Sequence, residues 1–86
     1  MLTLTVPTRG PRWVTGAELH PTLVITDPTR ALGLHDQEVV VTDVTPSDLD
    51  PRVLLVDYAV PGSSAVGCVT VGVRERVRVL RGGAPR

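Results

Sequence analysis

The stretch VLLVDYAVPGSSAVGCVTV, residues 53–71, decides the fold class of this chain. Two valine-rich runs, 53–60 and 66–71, flank the turn-forming sequence Pro61-Gly62-Ser63-Ser64. β-Branched residues favour extended structure, whereas Pro, Gly and Ser favour turns. The stretch therefore predicts two consecutive β-strands joined by a turn.

Segments on both sides of this stretch also have strand-forming patterns. Leu2, Leu4 and Val6 alternate with threonines, which predicts a first strand ended by Pro7. Further extended segments are predicted over 13–15, 22–26 and 38–44, and residues 74–79 alternate arginine with Glu or Val. Between two of these strands, Asp27 as N-cap, Pro28 as first helical residue and Gly33 as the end predict a helix of one or two turns.

These elements together predict an all-β fold. Valine occurs 16 times and threonine 10 times, and Phe is absent. Six or so short strands with one or two short helical turns favour a closed or nearly closed barrel, because closure removes unpaired strand edges. We expect residues 1–81 to form a single domain and 82–86 a flexible tail.

Composition limits the partners. Nine arginines balance nine acidic residues, so no net field attracts nucleic acid or a membrane, and the absence of lysine excludes a lysine Schiff base. Trp13 and Tyr58 are the only aromatic residues, so the core is small and a homo-oligomer is expected. The single cysteine, Cys68, forms no internal disulfide and is expected to be a buried, inert thiol. The first residues lack a signal-peptide pattern, which favours a cytoplasmic protein.

Three segments in order resemble one family. They are VTGAELH (14–20), ALGLHDQEVVVTDVT (31–45) and DYAVPGSSAVGCVTVG (57–72). With this spacing the chain resembles the pyruvoyl-dependent aspartate 1-decarboxylases over roughly residues 13–79. The resemblance implies a six-stranded double-psi β-barrel, a homo-oligomer that is a tetramer in the family, and a small carboxylate or amino-acid-like ligand.

The family's self-cleaving glycine-serine pair is replaced here by Pro21-Thr22. Glycine allows the strained backbone that exposes its carbonyl to the serine hydroxyl, whereas proline fixes φ and the threonine methyl crowds the attack. We therefore expect an uncut chain, with no cofactor and no pyruvoyl-type group formed from Thr22.

The resemblance also assigns the other candidate site residues. Tyr58 matches the family's proton donor, and Asp57 replaces the threonine before it as a possible proton acceptor. Arg52 is the candidate for the carboxylate-binding arginine, although it lies two residues too far from the tyrosine. Gly72 matches the glycine of the family's asparagine-glycine pair. Arg9 and Arg12 are candidates to replace an early lysine and histidine.

Each candidate also has a structural interpretation. Tyr58 could cap the core, Arg52 could be a solvated turn residue, and His20 could satisfy backbone groups instead of acting as acid or base beside Thr22. His35 is expected in solvent, and no metal site is predicted because no third ligand has fitting spacing. The stripe of Arg74, Arg76, Arg78 and Arg81 fits a solvated strand face or an oligomer edge. Nucleic-acid binding is less favoured, because the stripe contains no aromatic residue.

Three hypotheses follow. The first is an uncut aspartate-decarboxylase-like barrel, of lyase or isomerase type, that handles a small carboxylate by acid-base chemistry at a subunit-interface pocket. The second is a catalytically silent barrel that acts as a binding or assembly partner. The third is a self-cleaving decarboxylase that uses Thr22.

Overall fold

The computed structural model describes residues 11–28, 30–34 and 37–82. The predicted first strand, Arg9, His35 and the tail from residue 83 lie outside these ranges. The described elements are β1 (Arg12–Thr15), a 3₁₀ turn (Gly16–Glu18), β2 (Val24–Thr26), β3 (Val39–Pro46), β4 (Val53–Ala59), β5 (Val66–Gly72) and β6 (Arg76–Arg81). The predicted all-β fold class is confirmed, with almost no helix.

The six strands form one antiparallel sheet in the order β1-β6-β2-β3-β4-β5. β5 and β6 are consecutive in the chain but four positions apart in the sheet. Four strand spacings in a flat sheet would span roughly 19 Å, whereas the connection from Gly72 to Arg76 reaches at most about 14 Å. The sheet is therefore strongly curled, so that β5 approaches the β6 and β1 side.

The contacts of the 3₁₀ turn are consistent with this curl. The Gly16 amide donates to the Glu75 carbonyl (2.8 Å), and the Ala17 amide donates to the Val73 carbonyl (3.0 Å). Gly16 also lies so close to the Gly72 carbonyl that any Cβ at position 16 would overlap it. The end of β1 is thus tied to the turn between β5 and β6. Between the described strands, however, no ladder joins β1 to β5.

The inner face of the curled sheet carries the core. Alternate residues of the strands point inward, and the fully buried side chains are mostly valines: Leu23, Ile25, Val39, Val41, Val56, Val71, Val77 and Val79. Tyr58, Leu54, Val44 and Val69 pack against this cluster. The two-sided burial predicted for residues 39–41 holds in part, because Val40, on the outer face, is half-buried.

Two local predictions were wrong. No helix forms among the described residues of 27–34; instead the buried Asp27 carboxylate accepts the amides of Leu32 (2.8 Å) and Leu34 (3.2 Å). These bonds reach five and seven residues ahead, so they shape an irregular loop rather than a helical first turn. Cys68 is exposed and not buried, because it lies on the outer face of β5.

The predicted strand over 22–26 begins two residues later, at Val24. Thr22 has a φ of 81°, which is incompatible with a strand. Within the described ranges, no helix has the length and apolar character needed to cross a bilayer.

Candidate functional site

A cleft of about 490 Å³ lies where the β3–β4 turn meets the β5–β6 turn, lined by Arg52, Gly72, Val73, Arg74 and Glu75. The backbone holds the two turns together, because the Val73 amide donates to the Arg52 carbonyl (2.8 Å). The Glu75 side chain accepts the Gly72 amide through Oε1 (3.0 Å), and the Glu75 amide donates to the Gly72 carbonyl (3.0 Å). The part of the lining formed by residues 72–75 is therefore a closed turn with paired backbone groups.

Arg52 is held at the cleft mouth by its own turn. Its amide and its Nε both donate to Asp50 Oδ1 (2.9 and 3.2 Å), and its Nη2 lies 3.4 Å from Asp50 Oδ2. These hydrogen bonds from Arg52 lower the pKa of the Asp50 carboxyl below its ordinary value. The Arg52 side chain remains 84% exposed, so the ion pair is weak and the guanidinium is accessible to a ligand.

Arg74 is the second cation of the cleft. The sequence pattern had placed it in the arginine stripe of the last strand. It belongs to the turn before β6 and not to the strand. Among the described residues it makes no ion pair within 4 Å. Because the predicted stripe begins with this residue, the structure divides the stripe. Arg74 lines the cleft, Arg76 and Arg78 lie beside Trp13, and Arg81 contacts Glu38 (3.4 Å).

Tyr58 lies at the other end of β4. It is the sixth residue after Arg52, which corresponds to roughly 20 Å along a strand. Its side chain points inward, packs against the core and covers Gly67 so closely that a Cβ there would overlap the phenol. Tyr58 and Arg52 of one chain therefore do not share a pocket.

Asp57 points away from Tyr58, because neighbouring strand residues face opposite sides. It is exposed on the outer face, directly opposite Asp43 on β3 and Cys68 on β5. Partial desolvation, and then the Asp57 carboxylate, raise the pKa of the Cys68 thiol above its ordinary value. A direct coupling of Asp57 to Tyr58 or to Arg52 is absent from the described structure.

His20, Pro21 and Thr22 form a tight turn beside β3. The Leu23 amide lies 3.4 Å from the His20 carbonyl, and the Thr22 amide donates to the Val41 carbonyl (2.8 Å). Proline followed by a residue with positive φ is the type II arrangement, in which glycine is preferred at the position of Thr22. His20 Nδ1 lies 2.8 Å from the Pro21 carbonyl oxygen.

The predicted site residues thus fall into separate places. Arg52 and Gly72 meet in the cleft, His20 and Thr22 share the turn before β2, and Tyr58 and Asp57 occupy opposite faces of β4. Arg12 is half-buried on β1, at the pairing position of Val79.

Sequence reasoning missed the roles of Arg74, Glu75 and Trp13. The Gly72-x-x-Glu75 spacing could have indicated the turn, but only the strand register brings Trp13 beside Arg78. The arginine stripe itself contains no aromatic residue, but strand pairing places Trp13 of β1 beside Arg76 and Arg78.

Among the described residues, no group of three or more His, Cys, Asp or Glu side chains is arranged to hold a metal ion. No protein-family model, curated protein or solved structure matches this chain.

Proposed function

We propose that this chain is an uncut, aspartate-decarboxylase-like β-barrel protein that binds a small carboxylate or amino-acid-derived ligand in the Arg52–Arg74 cleft. The carrying observation is that Arg52 and Gly72, which the resemblance assigns to substrate binding, line one cleft with Arg74. Guanidinium groups donate forked pairs of hydrogen bonds to carboxylates. The cleft volume lies in the range typical of small-molecule sites.

The two arginines have different parts in this proposal. Asp50 occupies two of the five N–H groups of the Arg52 guanidinium and offsets its charge. Arg74, without a carboxylate within 4 Å in the described residues, supplies the main attraction for a ligand anion. The remaining N–H groups of Arg52 then orient the bound carboxylate, and Glu75 lies in the same cleft to accept a ligand ammonium.

Within one chain, Tyr58 lies too far from the cleft to contact the proposed ligand. A small ligand at Arg74 cannot reach a phenol roughly 20 Å away along β4. The Tyr58 side chain packs against the core of its own chain, so a second copy would bring Tyr58 to the cleft only with that side chain turned outward. The family resemblance is what supports a homo-oligomer with a subunit-interface pocket, and acid-base chemistry of lyase or isomerase type is the reaction class proposed.

Calorimetric titration tests the binding proposal. Succinate and L-aspartate are titrated into the wild-type chain, with ethylamine as a ligand that lacks the carboxylate. Arg74→Gln is expected to weaken binding about tenfold, since a charge-assisted hydrogen bond is lost. Arg81→Gln is the matched control, because Arg81 lies on the neighbouring strand and contacts Glu38 instead of the cleft. Equal losses in both variants would contradict the site.

Asp50→Asn gives a second, opposite test. Removing the carboxylate frees Arg52, so carboxylate affinity is expected to rise if Arg52 contacts the ligand. An unchanged affinity would remove Arg52 from the site. Absence of any carboxylate binding by the wild-type chain would favour a catalytically silent barrel that acts as an assembly partner.

A self-cleaving decarboxylase is a second candidate, because one observation favours it. Thr22 occupies a left-handed conformation that is costly for a β-branched residue, and His20 Nδ1 contacts the Pro21 carbonyl. With its proton on Nδ1, the imidazole would polarise the carbonyl that the Thr22 hydroxyl attacks. Against it, the proline fixes φ at the preceding residue and threonine replaces the family's serine.

Intact-mass spectrometry of the purified chain separates the two candidates. The uncut proposal requires one mass for all 86 residues. A fragment beginning at Thr22, capped by a keto group that hydrazine traps, would establish self-cleavage instead.

A further inference from the structure

Trp13, Arg76 and Arg78 form one surface, called here the basic surface. Trp13 lies directly opposite Arg78 in the β1–β6 ladder and remains 41% exposed. The guanidinium carbons of Arg76 and Arg78 lie 5.9 and 5.7 Å from the centre of its ring. Within the described ranges neither arginine makes an ion pair with a carboxylate. The stacked arginines are pre-positioned for an anionic partner.

A second surface carries the opposite charge on β3, β4 and β5. Asp43 and Asp57 are directly opposite each other and exposed, on the same face as Leu55 and Val66. Leu55 is 36% and Val66 77% exposed. This group is called here the acidic surface. In the described structure neither aspartate has a cation within 4 Å, and two carboxylates facing each other across a ladder repel.

One chain cannot bring these two surfaces together. Arg76 and Arg78 alternate with the buried Val77 and Val79, so the basic surface lies on the outer side of the sheet. The acidic surface also lies on that side, because Asp57 alternates with the buried Val56. The outer sides of a curled sheet diverge, so complementary contact requires a second molecule.

We infer that the basic surface of one chain docks on the acidic surface of a second copy of the same chain. Arg76 and Arg78 would donate to the Asp43–Asp57 pair, and Trp13 would cover Leu55 or Val66. The contact would pair the two carboxylates with cations and would bury Trp13 together with one of the exposed apolar side chains, Leu55 or Val66. The inference rests on the homo-oligomer of the proposed function, and the contact that it names involves neither the cleft nor Tyr58.

A second copy fits these observations better than a nucleic acid. The chain has no net charge, and the same molecule carries an exposed carboxylate pair that would repel phosphates. The two surfaces are complementary in charge and occur on the same chain. A nucleic acid would contact only the basic surface. Contacts between unlike surfaces build rings when they close and open chains when they do not.

Charge exchange tests the inference on the full chain. One variant carries Arg76→Glu and Arg78→Glu, and the other carries Asp43→Arg and Asp57→Arg. Light scattering after size-exclusion chromatography measures mass, while the fluorescence of the single tryptophan, Trp13, reports burial of the basic surface. Arg81→Glu is the control, since it reverses an exposed charge on the same strand outside both surfaces.

The wild-type chain is expected to associate, and its dissociation constant to rise about tenfold between about 0.05 M and about 0.5 M NaCl. Each variant alone should lose association about tenfold or more, because like charges then meet. Mixing the two variants should restore it with a blue-shifted Trp13 emission. Arg78→Gln and Asp57→Asn each remove one charge without reversing it. Each should therefore weaken association less than the charge-reversed variants do.

Several results would overturn the inference. They are a monomeric wild-type chain, association unchanged in both variants, a mixture that fails to associate, or binding of a single-stranded oligonucleotide by a wild-type monomer. Calorimetry measures carboxylate affinity at the cleft, whereas light scattering measures the mass of the assembly. Failure of this contact and failure of carboxylate binding are therefore distinguishable.

Discussion

At the scale of single residues, Thr22 is the most informative position. Its φ of 81° places a β-branched residue where glycine is favoured. The left-handed conformation costs an L-residue roughly 1–2 kcal/mol, whereas glycine loses about 0.5–1 kcal/mol of additional chain entropy on folding. The strain therefore exceeds the entropic cost of a glycine.

Thr22→Gly is expected to raise the free energy of unfolding by about 0.5–1 kcal/mol, which corresponds to a few degrees in Tm. Urea and thermal unfolding of the uncut chain measure the change. Thr22→Ala is the control, because it removes the hydroxyl but keeps the Cβ, so its gain should be smaller. A glycine variant less stable than the wild type would show that Thr22 is not strained.

Asp50 provides the pH dependence at this scale. Hydrogen bonds from Arg52 lower the pKa of its carboxyl in the folded chain. The contact thus adds stability above the ordinary carboxyl pKa, and this contribution is lost as the pH falls through the lowered value. Carbon-detected NMR titration of Asp50 should show an acidic midpoint that moves upward in Arg52→Gln. Arg74→Gln is the control and should leave the Asp50 midpoint unchanged. An Asp50 midpoint in Arg52→Gln equal to that of the wild type would refute the coupling.

At the scale of elements, the loop after β2 depends on one buried side chain. Asp27 is 3% exposed, and its Oδ2 accepts two loop amides. Asp27→Ala leaves both amides without this acceptor and is expected to lower the free energy of unfolding by about 1–3 kcal/mol. Asp27→Asn keeps a carbonyl acceptor and should cost clearly less in the same urea titration. Equal stability of the alanine variant and the wild type would contradict this role.

The strands were largely predictable from the sequence, because valine content and turn residues act locally. The loop after β2 was not, since the Asp27 bonds skip the positions that a helix cap would use. The exposure of Cys68 follows from which side of β5 faces the core, and a continuous apolar run hides that alternation.

The candidate site was only partly predictable for a similar reason. Arg52 and Gly72 came from the family resemblance, and the pairing of Val53 with Gly72 brings them together. Asp57 and Tyr58 are neighbours on β4, and strand alternation alone places their side chains on different faces of the sheet. Arg74 was misplaced because the arginine alternation continues from the turn into β6 without a break in the pattern.

At the scale of the whole molecule, the curl of the sheet decides whether a barrel forms. The short β5–β6 connection requires a curled sheet, but β5 and β1 remain the outermost strands of the described sheet and are not paired with each other. If the barrel closes in solution, the β5 amides that point away from β4 are expected to exchange with deuterium as slowly as the β4 amides. Residue-resolved exchange by NMR measures this. Rapid exchange along that edge of β5 would indicate an open sheet.

Carboxylate binding in the cleft is tested most directly by a nitrogen–proton NMR titration of the uncut chain with L-aspartate. Saturable shifts are expected only at the amides of Arg52 and of residues 72–75, and they should disappear in Arg74→Gln but not in Arg81→Gln. Shifts at the His20–Thr22 turn without any at Arg74, or no saturable shift at all, would contradict carboxylate binding in the cleft.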